Sequence, residues 1–264
     1  MYNSFIRPSL EYGNILYNNC TETDSDQLES VQRRAARIIT GGTISTPSQC
    51  LYEELAIETL KARRDRNILL MFHKIIHNKT PLYLQELRPP ALHERQNYNL
   101  WRSHNYTQPK CRLSKYQKSF FPNSIFLWNS LDEAKKQLAE YDLFKAALEP
   151  NLQQNELYFI GERHLNIIMA KIRMNCSELK SHLYRINVIE SPNCTCGEAV
   201  EDPYHYFFIC PQYTAQRAAL HAAVANLAPF TLKTILSGCT QLSLQENKEI
   251  YNATQTFIKN SKRF

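Results

Sequence analysis

The sequence predicts a mainly α fold, on three observations. Apolar side chains recur at helical spacing in successive segments bounded by capping residues, no strand-period alternation of any length appears, and a short Cys/His-rich stretch interrupts the helices near the C-terminus. With 264 residues, 43% of them hydrophobic, the chain can bury a substantial core as one large or two to three small domains.

The first element is an amphipathic helix over 24–40. Leu28, Val31, Ala35, Ile38 and Ile39 form its inner side, Glu29, Arg33 and Arg37 its outer side, and Gly41-Gly42 its stop. Thr46-Pro47-Ser48-Gln49 reads as a capping box opening a short helix through Leu55. A longer helix is expected from Thr59 to Asn78, with Leu60, Ile68, Met71, Phe72, Ile75 and Ile76 inward and Lys61, Arg63, Arg64 and Arg66 outward.

Between Arg88 and Lys118 the periodicity fails, Pro89-Pro90 and Pro109 punctuate the chain, and seven Lys/Arg residues face the single acid Glu94. This stretch reads as a basic linker with Tyr98, Trp101, Tyr106 and Tyr116 among its cations. It ends at Ser119-Phe120-Phe121-Pro122, and Trp128 anchors the next packed unit. Helical patterns resume over 131–139, 142–148, 162–174 and 177–186. An Ala-rich helix follows over 213–227, and a last helix opens on the capping box Ser243-Leu244-Gln245-Glu246.

No apolar run reaches the roughly 18 residues a membrane span needs. The start has no basic and apolar leader pattern, so a nuclear or cytoplasmic, reducing location is expected rather than secretion. The N-x-S/T sequons at Asn19, Asn105 and Asn193 then carry no meaning. Eight cysteines in a reducing compartment argue against a disulfide framework. A net charge of +6 is compatible with a polyanionic partner without requiring one.

Cys194-Thr195-Cys196-Gly197, His205 and Cys210 form a C-x-C-x8-H-x4-C array. Soft thiolates and an imidazole at this density suit a four-ligand structural Zn²⁺ site, although C-x-C is closer than the usual pair spacing. The plainer reading makes Cys210 a small buried hydrophobe beside Phe207 and Phe208, and His205 an ordinary histidine. A Cys–His nucleophile pair is a rival, but no Gly-rich oxyanion element lies nearby. Cys20, Cys50, Cys111 and Cys239 stand alone.

The second constellation is cationic: Arg33, Arg34 and Arg37, then Lys61, Arg63, Arg64 and Arg66, then Arg102, Lys110, Arg112, Lys115 and Lys118 beside Trp101. Such groups neutralise phosphates while the aromatics stack on unpaired bases. Against this, Glu29 and Arg33 form a favourable i,i+4 pair, and exposed helical arginines commonly only solvate their face. No H-E-x-x-H, P-loop, G-x-S-x-G or adjacent Asp-Asp pair occurs.

Ser4-Phe5-Ile6-Arg7-Pro8-Ser9-Leu10-Glu11-Tyr12-Gly13 followed by Leu28-Glu29-Ser30-Val31-Gln32-Arg33-Arg34-Ala35-Ala36-Arg37 resembles the start of the thumb in reverse transcriptases of non-LTR, jockey-like retrotransposons. The resemblance continues in order through Leu82-Tyr83-Leu84, Phe120-Phe121-Pro122, Leu127-Trp128-Asn129-Ser130-Leu131, His182-Leu183-Tyr184-Arg185-Ile186 and the Cys/His array, and covers nearly the whole chain. It implies a helical thumb-like domain over 1–87, a basic aromatic linker over 88–118, a helical region over 119–190, a zinc-knuckle-like segment over 191–213 and C-terminal helices over 214–264. It also implies that Arg33, Arg34 and Arg37 belong to a duplex-gripping thumb, that Cys194, Cys196, His205 and Cys210 ligate metal, and that RNA or DNA is the partner. The palm with its catalytic aspartates would lie upstream of Met1. The expectation is therefore a truncated, nucleic-acid-binding portion of an RNA-directed DNA polymerase, inactive without a polymerase subunit in trans. A helical protein–protein adaptor stapled by zinc and a non-functional element remnant are the rival readings.

Overall fold

The computed structural model describes residues 2–92, 104–152 and 160–264, and is mainly helical. In chain order the helices are α1 (Arg7–Glu11), α2 (Glu22–Thr40), α3 (Ser48–Leu55), α4 (Leu60–Ile76), α5 (Leu82–Glu86), α6 (Ser114–Gln117) and α7 (Phe120–Ser130). They continue as α8 (Glu133–Lys136), α9 (Tyr141–Leu148), α10 (Arg163–Arg173), α11 (Lys180–Arg185), α12 (Thr214–Val224), α13 (Leu232–Ser237) and α14 (Leu244–Ser261). Among the described residues β-pairing is confined to two isolated bridges, Ala91 with Tyr106 and Asn193 with Val200.

The chain divides into two compact units, residues 1–32 with 58–152 and residues 33–57 with 153–264. The units are discontinuous in sequence, whereas the sequence reading laid domains end to end.

The core of the first unit is aromatic. Phe72 of α4, Tyr106, Trp128 of α7 and Phe144 of α9 are all buried, with Phe72 edge-on to Tyr106 and Trp128 at centroid separations of 5.3 and 5.6 Å. Trp128 Nε1 donates to the His104 carbonyl at 2.9 Å, and the Asn129 amide clamps both backbone polar atoms of Tyr106, at 3.0 and 2.8 Å. The Trp-Asn pair thus fastens the described end of the basic stretch onto the core, and Tyr106, grouped above with base-stacking aromatics, serves packing instead. Helix α7 falls in the expected helical region over 119–190, although no periodic pattern marked it. Pro122 sits in its first turn, where a missing N–H costs nothing because the first amides of a helix have no intrahelical partner.

Two expectations about helix faces need correction. On α2 the buried positions are Gln32, Ala36 and Thr40, while Val31 and Ile38 are exposed. Hydrogen bonds make this polar face affordable to bury: Gln32 accepts from Tyr2 Oη at 2.6 Å and donates to the Glu58 carbonyl at 2.8 Å, and Thr40 donates to the Ala36 carbonyl at 2.9 Å. Glu29, placed outward by periodicity, accepts from the Leu60 amide at 2.9 Å and so caps the start of α4 alongside Thr59, whose hydroxyl accepts from Ala62 N. The Thr46/Gln49 capping box does not form, because Thr46 Oγ1 accepts from Thr43 N and Gln49 donates to Glu53.

In the second unit, α10, α12, α13 and α14 close around Leu165, Met169, Val224, Ile235, Tyr251 and Phe257. A smaller cluster forms from Ala36, Leu51, Tyr52 and Leu55. Arg173 joins the two: its guanidinium holds Glu54 in a bidentate pair, with Nε at 3.0 and 3.1 Å, and donates through Nη1 to the Leu236 carbonyl at 2.6 Å. The Ser243 capping box at the start of α14 forms as expected, with both reciprocal bonds present.

Candidate metal centre and cationic surfaces

The Cys/His segment folds as a tight hairpin followed by a helical turn. The Asn193–Val200 bridge and the bond from Cys194 N to the Ala199 carbonyl (2.8 Å) draw the two sides together. At the tip Gly197 adopts φ +83°, a left-handed conformation, and its amide bonds back to the Cys194 carbonyl at 3.1 Å. Asp202 then starts a π-helical turn over His205–Ile209 by accepting from His205 N at 2.7 Å. The turn closes with Cys210 N on the His205 carbonyl at 2.8 Å, while Arg217 of α12 donates to the carbonyls of Phe207 and Cys210.

These constraints bring Cys194, Cys196, His205 and Cys210 together, with one ligand atom from each lying within 4.8 Å of all the others. Cys194 Sγ is 3.8 Å from Cys210 Sγ, and Cys196 Sγ is 3.3 Å from His205 Nε2. A tetrahedron with metal–sulfur bonds of about 2.3 Å and metal–nitrogen bonds of about 2.0–2.1 Å has edges of roughly 3.8 and 3.6 Å. The group could therefore hold a metal ion, and its donors and spacing are compatible with structural zinc. The 3.8 Å sulfur separation is far outside the disulfide bond length of about 2.05 Å, so these thiols are free.

Electrostatics point the same way. Burial, with Cys194 and Cys196 beside it, pushes the Cys210 thiol up to about 12. Cys196 is pulled below the usual thiol range, chiefly by a hydrogen bond from the Glu198 backbone. A coordinating thiol is deprotonated outright, so a dication held here would offset the upward shift of Cys210. His205 turns Nε2 to the cluster, and its buried Nδ1 has no partner among the described residues. The ring is oriented by the main-chain anchor at Asp202 rather than by the carboxylate or carbonyl that usually fixes a ligand histidine.

The segment is tied into the second unit through Glu201. This buried carboxylate accepts from Arg263 Nε and Nη2 at 2.6 and 2.6 Å and from Lys180 N at 3.0 Å. Burial would raise its pKa, but the Arg263 and Lys180 bonds outweigh burial and hold it below the ordinary carboxylate value. Tyr206 and Phe207, inside the π-helical turn, pack on Phe257 of α14 at centroid distances of 5.2 and 5.2 Å.

The cationic residues part into two groups. Of those assigned outward on α4, Arg63 pairs with Glu11 and approaches Glu58 at 3.7 Å, Arg66 pairs with Glu58 at 2.5 Å, and Arg64 is 97% buried, so only Lys61 is exposed. Spacing did not reveal either pairing, since Glu58 lies five and eight residues before Arg63 and Arg66, outside the i,i+3 and i,i+4 positions, and Glu11 lies far along the chain. On α2, Arg34 is exposed, Arg33 is half-buried with a partner, and Arg37 reaches the Ile44 carbonyl at 3.4 Å. Lys110, Arg112 and Lys115 are exposed next to the exposed Tyr116, and Lys118 stands 3.7 Å from Glu22. Trp101 and Arg102 lie outside the described residues. The sequence reading passed over Cys176, which is buried at the end of α10 with its thiol pushed up by burial.

Fold and site together define a mainly helical protein with a Cys₃His cluster able to hold a metal ion. Compared with family models, curated proteins and solved structures, the chain matches none. No helix among the described residues is long and apolar enough to cross a membrane.

Proposed function

We propose that the chain is a nucleic-acid-binding portion of a non-LTR retrotransposon RNA-directed DNA polymerase, inactive by itself, whose Cys/His segment holds one structural zinc ion. The observation that carries this reading is the convergence of Cys194, Cys196, His205 and Cys210 at tetrahedral spacing, in a chain whose thumb-like and Cys/His phrases follow the order found in that family. A closed Cys₃His site leaves no position for substrate, so the metal's part is folding. Binding falls to the exposed run Lys110, Arg112, Lys115 and the half-exposed Lys118, with Tyr116 offering a stacking face.

The internal pairing of Arg63 and Arg66, together with the exposure of Ile38 (65%) and Ile44 (90%), favours a second reading, a zinc-stapled protein–protein adaptor. Metal analysis of the purified chain, with Cys196→Ser and His205→Ala, and single-stranded RNA binding in the same preparations separate the readings. About one zinc per chain, lost in both variants, with RNA affinity that falls as salt rises, supports the polymerase portion. Zinc without salt-dependent RNA binding supports the adaptor, and a chain without bound metal overturns both.

A further inference from the structure

The first unit buries a guanidinium that, among the described residues, has no carboxylate within ion-pair distance: that of Arg64 of α4, which is 97% buried. Its Nη2 donates to Ser25 Oγ, its carbon centre lies 5.9 Å from the Tyr17 ring centroid, and its Nε has no hydrogen-bond partner. Removing a cation from water without an opposing charge is costly, so an unpaired buried Arg marks a place where a ligand supplies that charge.

Arg64 lines a cleft between the Asn18–Glu22 loop, the first turns of α4 and the start of α7, with Lys61, Lys118, Asn18, Ser25 and Asn123 around it. The cleft also holds Glu22 and Asp65. The Glu22 side chain is 94% exposed, and burial raises the Asp65 carboxyl above its ordinary range against the pull of Lys61 and Arg64. Three cations thus outnumber the two carboxylates of the cleft, leaving a net positive charge for an oxyanion. The arginine fork with lysine point charges beside it matches the several oxygens of a phosphate.

We propose that this cleft is a phosphate-binding site, with Arg64 as its buried donor and Lys61 and Lys118 as its rim. The phosphodiester source of that phosphate rests on the nucleic-acid reading above, whereas the site itself rests on Arg64.

The test is calorimetric titration of the full chain with inorganic phosphate against chloride at matched ionic strength, for wild type, Lys61→Gln, Lys118→Gln and Arg64→Lys. The rim variants replace exposed or half-exposed side chains and keep the experiment informative should the Arg64 variant fold poorly. Saturable phosphate binding, weakened roughly tenfold by each rim variant, supports the site. Phosphate indistinguishable from chloride, or affinity indifferent to the rim variants, overturns it. Titration with single-stranded RNA assigns the source. A salt slope reduced by roughly 0.7 per rim variant, with phosphate competing, supports a nucleic-acid backbone. Phosphate binding without RNA binding supports the site with a free phosphate group and overturns the nucleic-acid reading. RNA binding unaffected by the rim variants, with phosphate silent, overturns the site alone.

Discussion

Replacing Glu201 by alanine should loosen the second unit at neutral pH and matter little in acid. The carboxylate is 3% exposed as a residue, takes two charge-assisted bonds from Arg263 at 2.6 Å, and satisfies Lys180 N at the start of α11. Removing it strands a guanidinium whose side chain is 23% exposed. A fully buried broken pair costs about 3–5 kcal/mol, and partial exposure of Arg263 brings the expected loss to roughly 3 kcal/mol. At a urea dependence of about 2 kcal/mol per molar, the midpoint should fall by roughly 1.5 M. The pH dependence has a definite sign. Glu201 is held below its unfolded-state pKa of about 4.3, so its contribution is complete above that value and is lost as pH falls through the lower folded value. Urea unfolding followed by circular dichroism at pH 7 and at successively lower pH measures both effects. An unchanged midpoint at pH 7, or a wild-type-to-variant gap that persists undiminished at pH 3, would refute the assignment.

Other outcomes follow from the same structure. Glu54→Ala leaves Arg173 buried without a carboxylate, beside the Leu236 carbonyl and Tyr251, and should cost about 3–4 kcal/mol in equilibrium unfolding, more than Arg173→Met, which removes the charge as well. His73 stacks on Phe144 at 4.3 Å and donates to the Leu138 carbonyl at 2.7 Å, with His77 4.3 Å away. Burial lowers the pKa of both, so the first unit should lose stability as pH drops below about 6.5, by up to roughly 1.4 kcal/mol per pH unit for each histidine, in unfolding followed by tryptophan fluorescence. His77→Gln should halve that slope. Gly197→Ala meets open space but a φ of +83°, so backbone strain alone should weaken metal retention modestly, by about 1 kcal/mol in chelator competition.

What the sequence discloses follows physical locality. The Ser243/Glu246 box and the Gly41 stop each act within a few residues, and each is present in the structure. The Cys/His cluster was legible for the same reason, since its four ligands lie on one hairpin and the turn after it. Residues whose partners lie far along the chain were not legible. Glu29 read as an outward acid until α4 presented the Leu60 amide, and Arg63 read as an outward cation until Glu11 came alongside. The inner face of α2 was misplaced because periodicity scores apolar side chains, whereas this helix buries Gln32 and Thr40 through hydrogen bonds. Tyr106 shows the same limit: its neighbours in sequence are basic and polar, and its neighbours in space are Phe72 and Trp128.

The proposal that this chain binds nucleic acid through cations its own acids leave free is tested by the salt dependence of single-stranded RNA binding. Log affinity should fall linearly with log salt, and Lys110→Ala, Arg112→Ala and Lys115→Ala combined should reduce the slope by about 2, at roughly 0.7 per phosphate contact on a single strand. Affinity that is absent, independent of salt, or unchanged in slope in the triple variant would contradict it.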